Sequence, residues 1–95
     1  MRIRYTATAL TEINEIFSYI ETDSPAAAAA VKARIEHTIA LIERFPKMGR
    51  VKYRRVVRML PVRHYPQYLV FYAIEGNEVV ILNIRHGARR PPWDD

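Results

Sequence analysis

The stretch that decides the fold runs from Tyr68 to Ile84 and reads YLVFYAIEGNEVVILNI. Its two outer segments, Tyr68–Ile74 and Val79–Ile84, are rich in the β-branched and aromatic residues that favour strands. Between them, Glu75–Glu78 contains glycine followed by asparagine, which is typical of a tight hairpin connection. The sequence therefore predicts an antiparallel pair of strands, and residues 56–62 predict a third strand before it.

Alternation along the last of these strands indicates which side chains face the core, because successive side chains leave a strand on opposite sides. The residues assigned to the core are Val80, Leu82 and Ile84. The positions on the opposite face are Ile81, Asn83 and Arg85. We therefore expect Arg85 to be exposed on the sheet.

Two amphipathic helices are predicted before these strands. The first is capped by Thr8, and its apolar residues recur at helical spacing. They are Leu10, Ile13, Ile16, Phe17 and Ile20. Ser24 and Pro25 begin the second helix, because the serine accepts from free amides and proline lacks an N–H that would need a partner. Its buried positions are Val31, Ile35, Ile39, Ile42 and Phe45. Pro46 ends it.

The order of elements gives the fold class. Residues 1–6 alternate in the manner of a short strand, so the order is β-α-α-β-β-β. This order predicts an α+β fold in which an antiparallel helical hairpin packs on one face of a mainly antiparallel sheet. The other face is expected to stay partly open. We expect one domain over residues 1–95, with a basic, extended tail at about 88–95.

Positive charge is concentrated in the second half of the chain. Residues 1–46 hold five Lys/Arg against six Asp/Glu, and residues 47–95 hold ten against four, which gives charges of −1 and +6. Such asymmetry indicates a face that meets nucleic acid or an acidic protein, although an arginine-rich surface kept for solubility gives the same count. The absence of cysteine and of long apolar stretches predicts a cytoplasmic protein without membrane contact.

The sequence lacks the residue patterns that most catalytic mechanisms require. The serines, Ser18 and Ser24, fall in the helical hairpin, and the histidines, His37, His64 and His86, are scattered. We therefore expect no nucleophilic triad, no metal and no cofactor. Many arginines interleave with tyrosines in the second half, a composition able to bind RNA. A metal-free ribonuclease would also need a proton carrier such as His or Tyr beside the scissile phosphate.

Structural roles for the same residues remain open at this point. Tyr68 and Tyr72 share a strand, where aromatic side chains more often pack in the core or on the sheet than bind bases. His86 is equally compatible with a hydrogen bond at the strand end. Trp93 either docks on the sheet as a clasp or contacts a partner.

Four segments carry a resemblance to a known family. They are Ala9-Leu10-Thr11-Glu12-Ile13 with Tyr19-Ile20, Pro25-Ala26-Ala27-Ala28, Ile42 to Arg50, and Val79 to Arg89. In this order and spacing they resemble the ParE/RelE toxin superfamily of bacterial type II toxin–antitoxin systems. The resemblance implies a hetero-oligomeric complex with a cognate antitoxin, which lays an amphipathic helix and an extended segment across a groove and a sheet edge. The antitoxin contacts that it implies are Ile13, Phe17, Tyr68, Val70 and Tyr72.

The superfamily contains two activities. RelE-like members cut mRNA on the ribosome, whereas ParE-like members bind and poison DNA gyrase. The His86–Arg89 ending and the proline-led second helix favour ParE, and Leu69 stands where nuclease members typically have arginine. The target contacts implied are Arg85, His86, Arg89, Arg90 and Trp93. A ribosome-dependent endoribonuclease is the alternative, with Arg58, Arg63, Tyr72 and His86 as its residues. A degenerate toxin that serves only as a regulator is a third possibility.

Overall fold

The computed structural model describes residues 1–94 and confirms the predicted α+β class. Its elements are β1 (Arg2–Tyr5), α1 (Ala7–Asp23), α2 (Pro25–Arg44), β2 (Arg50–Tyr53), β3 (Val57–Val62), β4 (Tyr65–Glu75), β5 (Glu78–His86) and a short 3₁₀ turn (Pro92–Asp94). Asp95, the last residue of the predicted tail, lies outside the described residues. Neither helix has the length and hydropathy needed to cross a membrane.

One mixed, mostly antiparallel sheet holds the strands in the order β1-β5-β4-β3-β2. β1 runs parallel to β5, and all other neighbours are antiparallel. The α1–α2 hairpin packs on one face, as predicted. β2 was not predicted, because its four residues, Arg50 to Tyr53, are too few and too charged to form a recognisable strand pattern.

The helix starts show why the chain folds back where it does. Ser24 Oγ accepts from the amide of Ala27 at 3.1 Å, which confirms the predicted cap of α2. The cap of α1 is Thr6 and not Thr8: Thr6 Oγ1 accepts from the amide of Ala9 at 3.0 Å and donates to the carbonyl of Leu82 at 2.9 Å. Thr6 thus fixes the first turn of α1 against β5 as well as capping it.

The core lies between the helices and the sheet. Its fully buried members include the predicted α2 residues Val31, Ile35, Ile39 and Ile42. Two residues that were predicted on the buried sides of the helices are exposed: Leu10 is 50% exposed and Phe45 is 54% exposed. Leu10 lies one residue beyond Ala9, which is 0% exposed, so the helical turn carries its side chain away from the buried face. Phe45 is the C-cap of α2, with φ of −131°, and so it no longer follows the helical stripe.

A β-bulge overturns the alternation expected for β5. Tyr72 pairs with Ile81 but Phe71 pairs with Asn83, so Leu82 is an extra residue on β5. A one-residue insertion exchanges the two faces of a strand. Consequently Val79 and Ile81 before the bulge, and Ile84 after it, all belong to the core under the helices. The assignment of Ile81 to the outer face was therefore wrong.

Candidate interaction site

A groove opens between α1 and the free end of β5. β1 pairs with β5 only as far as Ile81, so the remainder of β5 extends past its neighbour and lies beside α1. We call this space, of about 400 Å³, the α1–β5 groove. Its lining residues are Glu12, Glu15, Ile16, Tyr19, Tyr68, Ile84, Arg85, His86 and Arg89. The fold thereby brings three predicted target contacts together with one predicted antitoxin contact.

The walls of the groove are apolar and its rim is polar. Ile16 and Tyr68 are half-buried, and Tyr19 is 79% exposed. Glu15 and Arg89 are exposed at the rim. Exposed tyrosine beside an apolar cleft with charged margins is the composition of a protein–protein interface.

His86 lies at the end of β5, directly opposite Tyr68. The two rings meet edge to face, with centroids 5.6 Å apart. His86 Nδ1 accepts from the amide of Ala88 at 3.0 Å, so in the neutral ring the proton belongs to Nε2. His86 as a whole is exposed, so the residue is accessible from solvent.

Arg85 is buried, contrary to the sequence expectation. It is 6% exposed, and its Nε donates to Glu12 Oε2 at 2.9 Å. Its Nη1 donates to the carbonyl of Arg90 at 3.3 Å. The guanidinium is thus occupied in joining α1, β5 and the tail, and a partner reaches it only if this bridge opens.

The Glu12 carboxylate also accepts hydrogen bonds from the edge of β5 that β1 leaves unpaired. Glu12 Oε1 accepts from the amide of Ile84 and from Asn83 Nδ2, both at 3.1 Å. With Thr6 bonded to the carbonyl of Leu82, α1 satisfies backbone groups that an added strand would otherwise use. A partner at this end of the sheet therefore meets side chains rather than a free strand edge.

The tail folds back across the face opposite the helices. Trp93 stacks on Tyr53 with centroids 4.8 Å apart and planes 10° from parallel. It also meets Phe71 edge to face at 5.8 Å, and Phe71 is 5% exposed. The sequence left two roles open for Trp93, docking on the sheet or contact with a partner. In the structure Trp93 docks on the sheet. The face expected to stay partly open is thus partly covered by the tail.

Arg58 and Tyr72, two of the nuclease candidates, hold the turn after α2. Tyr72 is 0% exposed, its phenol donates to the carbonyl of Pro46 at 2.7 Å, and it accepts from the amide of Gly49 at 2.8 Å. Arg58 Nη1 donates to the carbonyls of Gly49 at 2.8 Å and Lys47 at 3.1 Å. Burial raises the pKa of the Tyr72 phenol above 10.0, although the Gly49 hydrogen bond and the Arg58 charge oppose this. The raised pKa favours the protonated phenol, the form that donates to the carbonyl of Pro46.

The other nuclease candidates lie elsewhere. Arg63 is exposed in the turn between β3 and β4, where its amide donates to Thr38 Oγ1 at 3.1 Å. His86 pairs with Tyr68, four residues before Tyr72, which is about 13 Å along the strand. The fold does not bring the four side chains to one site. Within residues 1–94, no group of three or more His, Asp or Glu is placed to hold a metal ion.

Comparison with known proteins identifies the family. A model described as the ParE toxin of the type II toxin–antitoxin system parDE matches residues 3–91. The chain belongs to the ParE toxin family. A protein of Sinorhizobium fredii (strain NBRC 101917 / NGR234) named "Putative toxin Y4kP" is 37% identical over 91 residues, which cover 96% of this chain and 93% of that protein.

A solved structure has the same fold. A structure described as the chromosomal ParDE TA system from P. aeruginosa contains a chain that matches with a TM-score of 0.78 and 20% identity. The match covers 90% of this chain and 95% of that one. At this identity the likeness shows the shared fold alone.

The antitoxin contacts expected of this ParE-family toxin fall into two groups. Tyr68 is half-buried in the α1–β5 groove, and Ile13 and Phe17 are half-buried where α1 meets α2. Val70 and Tyr72 are 0% exposed beneath the helices, so no partner touches them while the helices stay packed. The expectation was wrong for these two because the strand face that it used is the core face.

Sequence reasoning missed Glu12, Ile16 and Tyr19 as parts of the α1–β5 groove. Ile16 was taken only as a core residue, and Tyr19 only as part of a family segment. Glu12 did carry a signal: it lies three residues after the buried Ala9 and four before Ile16, so an acidic side chain falls on an otherwise apolar helix face. Such a residue calls for a buried cationic partner.

Proposed function

We propose that this ParE-family toxin inhibits DNA gyrase by binding it, without turning over a substrate. The observation that carries the proposal is the α1–β5 groove, where exposed His86 and Arg89 adjoin the apolar surface of Tyr19 and Tyr68. Aromatic residues and arginine are the side chains that most often dominate binding energy at protein interfaces. Gyrase acts in the cytoplasm, so the proposal assigns the toxin to that compartment.

We also propose that a cognate antitoxin neutralises the toxin by filling the same groove. Ile16 and Tyr68 provide apolar walls for one face of an amphipathic helix, and Arg89 at the rim suits an acidic partner. An occupant of this groove would cover His86 and Arg89. Neutralisation would then follow from direct competition for one surface.

The nuclease alternative has less support from the geometry. It needs a proton carrier beside a phosphate-binding cation. Tyr72 and Arg58 have hydrogen-bond partners within the fold, and Tyr72 is fully buried. The two exposed candidates lie on different elements. Arg63 is in the turn between β3 and β4, and His86 is at the end of β5.

A gyrase supercoiling assay with the purified toxin tests the proposal. We expect inhibition by wild type at micromolar concentrations, and an about tenfold higher inhibitory concentration for Arg89→Ala, because arginine is enriched among the few interface residues whose truncation costs more than about 1 kcal/mol. Arg89 is exposed, so its replacement leaves the core intact. His86→Ala is expected to act in the same direction.

Arg44→Ala is the matched control, because it removes the same charge from the exposed end of α2, away from the groove. It should inhibit like wild type. The proposal fails if wild type at micromolar concentrations leaves supercoiling untouched. Cleavage of mRNA in a translation extract would then favour the nuclease alternative.

A further inference from the structure

A second surface, on the β2–β3 hairpin, carries a concentration of unpaired cations. From Pro46 to Ile74 the chain has seven Lys/Arg and no Asp or Glu. Four of these cations, Arg50, Lys52, Arg54 and Arg55, belong to β2 and its turn, and all four are exposed. Within residues 1–94 the ion pairs involve only Arg4 and Arg85 as cations, so none of the four is neutralised by a neighbour.

The tip of this hairpin holds two arginines in an unfavourable backbone conformation. Arg54 and Arg55 have φ of 50° and 60°, and the amide of Val56 donates to the carbonyl of Tyr53 at 3.0 Å. Three residues, 54–56, connect β2 to β3, and Arg54 and Arg55 are the two central residues of the turn that the Val56–Tyr53 hydrogen bond closes. Positive φ at both central residues is the pattern of a type I′ turn, which strongly favours Asn-Gly. Arginine there is strained, and strained residues cluster at ligand-binding positions.

The hairpin is joined to the cations of the tail. The Arg54 guanidinium lies over the Tyr53 ring at 5.1 Å, and Tyr53 stacks on Trp93. Lys52 lines one cavity of about 150 Å³ together with Arg89 and Arg90. None of the described residues that line this cavity is Asp or Glu. Hairpin and tail thus form one positively charged surface, the basic face, made of Arg50, Lys52, Arg54, Arg55, Arg89 and Arg90.

We propose that the basic face binds the phosphate backbone of duplex DNA. Lysine and arginine that neutralise phosphates bind DNA without reading its sequence. Single strands are bound largely by stacking of bases on free aromatic rings. Here Tyr53 and Trp93 stack on each other and Phe71 is buried beneath them, so the surface offers charge rather than ring faces. The chemistry therefore favours a duplex.

The inference extends the proposed function and rests on it for its biological meaning. Gyrase holds DNA while it works, and the basic face adjoins the α1–β5 groove at Arg89, which lines both. A toxin bound through the groove would therefore carry the β2–β3 hairpin beside its gyrase contact. Arg54 and Arg55 belong to the basic face and not to the groove lining. The two surfaces can therefore be tested independently.

Fluorescence anisotropy with a short labelled duplex, in the absence of gyrase, tests the inference. We expect binding that weakens steeply with salt, and at least about tenfold weaker binding for Arg54→Gln/Arg55→Gln. Loss of two phosphate contacts should also make the slope of log K against log salt shallower by about 2. Arg2→Gln/Arg44→Gln removes the same charge elsewhere and should bind like wild type.

A second variant separates binding from folding. Arg54→Asn/Arg55→Gly supplies the residues that a type I′ turn prefers, so we expect its Tm to rise by roughly 4–8 °C. The same variant should bind the duplex at least about tenfold more weakly. A change that stabilises the fold and weakens binding points to a ligand contact rather than a structural one.

Three results would overturn the inference. The first is no duplex binding at low salt, and the second is an equal loss of duplex affinity in the Arg2→Gln/Arg44→Gln control. The third is displacement of the duplex by polyglutamate at a lower concentration of charged groups than competitor DNA needs. The last would assign the basic face to an acidic protein. Gyrase inhibition without duplex binding defeats this inference alone, and duplex binding without gyrase inhibition defeats the proposed function alone.

Discussion

Replacing Glu12 by alanine is expected to lower the free energy of unfolding by about 3–5 kcal/mol, because it leaves a buried guanidinium without its carboxylate. The side chains of Arg85 and Glu12 are only 7% and 8% exposed, and their closest atoms are 2.9 Å apart. The substitution also removes the acceptor for the amide of Ile84 and for Asn83. Urea unfolding followed by circular dichroism measures the loss.

Glu12→Gln is the conservative variant, since its amide oxygen can still accept from Ile84, and it should lose less than Glu12→Ala. Glu15→Ala, one turn along the exposed side of α1, should change stability by about 0.5 kcal/mol or less. A Glu12→Ala protein as stable as Glu15→Ala would show that the Glu12–Arg85 bridge does not hold α1, β5 and the tail together.

Replacing Gly49 by alanine is expected to cost about 2–4 kcal/mol, because the new methyl group overlaps a buried ring and disturbs its hydrogen bonds. A Cβ on Gly49 would lie 2.4 Å from Tyr72 Oη and 2.7 Å from Tyr72 Cε1. Tyr72 is 0% exposed and bonded to Pro46 and Gly49, so its ring has no room to withdraw. The effect is steric, since Gly49 is not among the residues with positive φ.

Gly87→Ala is the matched control for this substitution. A Cβ on Gly87 would meet the carbonyl oxygen of Gln67 at 3.5 Å and Leu69 Cδ1 at 3.6 Å, which are ordinary contacts. Its thermal unfolding should match that of wild type. If Gly49→Ala and Gly87→Ala unfold at the same temperature, the close packing of Tyr72 against the turn after α2 is not a source of stability.

The elements that sequence patterns predicted well are those with local causes. Ser24 caps α2 because its hydroxyl meets the amide three residues on, and the pattern of Val31, Ile35 and Ile39 follows from helical periodicity alone. The β4–β5 hairpin likewise forms around a local turn, with Gly76 at φ of 59°. Such features need no knowledge of distant residues.

The failures that concern the candidate site involve partners far apart in the chain. Nothing in the strand pattern revealed the bulge at Leu82, which reverses the faces of β5 and moves Ile81 into the core. Arg85 looked exposed because its partner, Glu12, is 73 residues away. The docking of Trp93 on Tyr53 depends on the fold of the whole sheet.

For the candidate site, the sequence pointed to residues that line one groove but did not reveal how that groove is built. It drew attention to the His86–Arg89 ending, and both of these residues line the α1–β5 groove. It assigned Arg85 to the target contacts, whereas the Arg85 side chain is buried and paired with Glu12. The groove wall from α1 was missed because Ile16 also fitted the pattern of a core residue.

We propose the α1–β5 groove as the surface that binds gyrase. The most direct measurement is equilibrium binding of fluorescently labelled toxin to purified gyrase in the absence of DNA, comparing wild type, His86→Ala/Arg89→Ala and Arg44→Ala. We expect saturable binding for wild type and Arg44→Ala, and at least about tenfold weaker binding for the groove variant. Wild-type toxin that does not bind gyrase, or a groove variant that binds as tightly as wild type, would contradict this proposal.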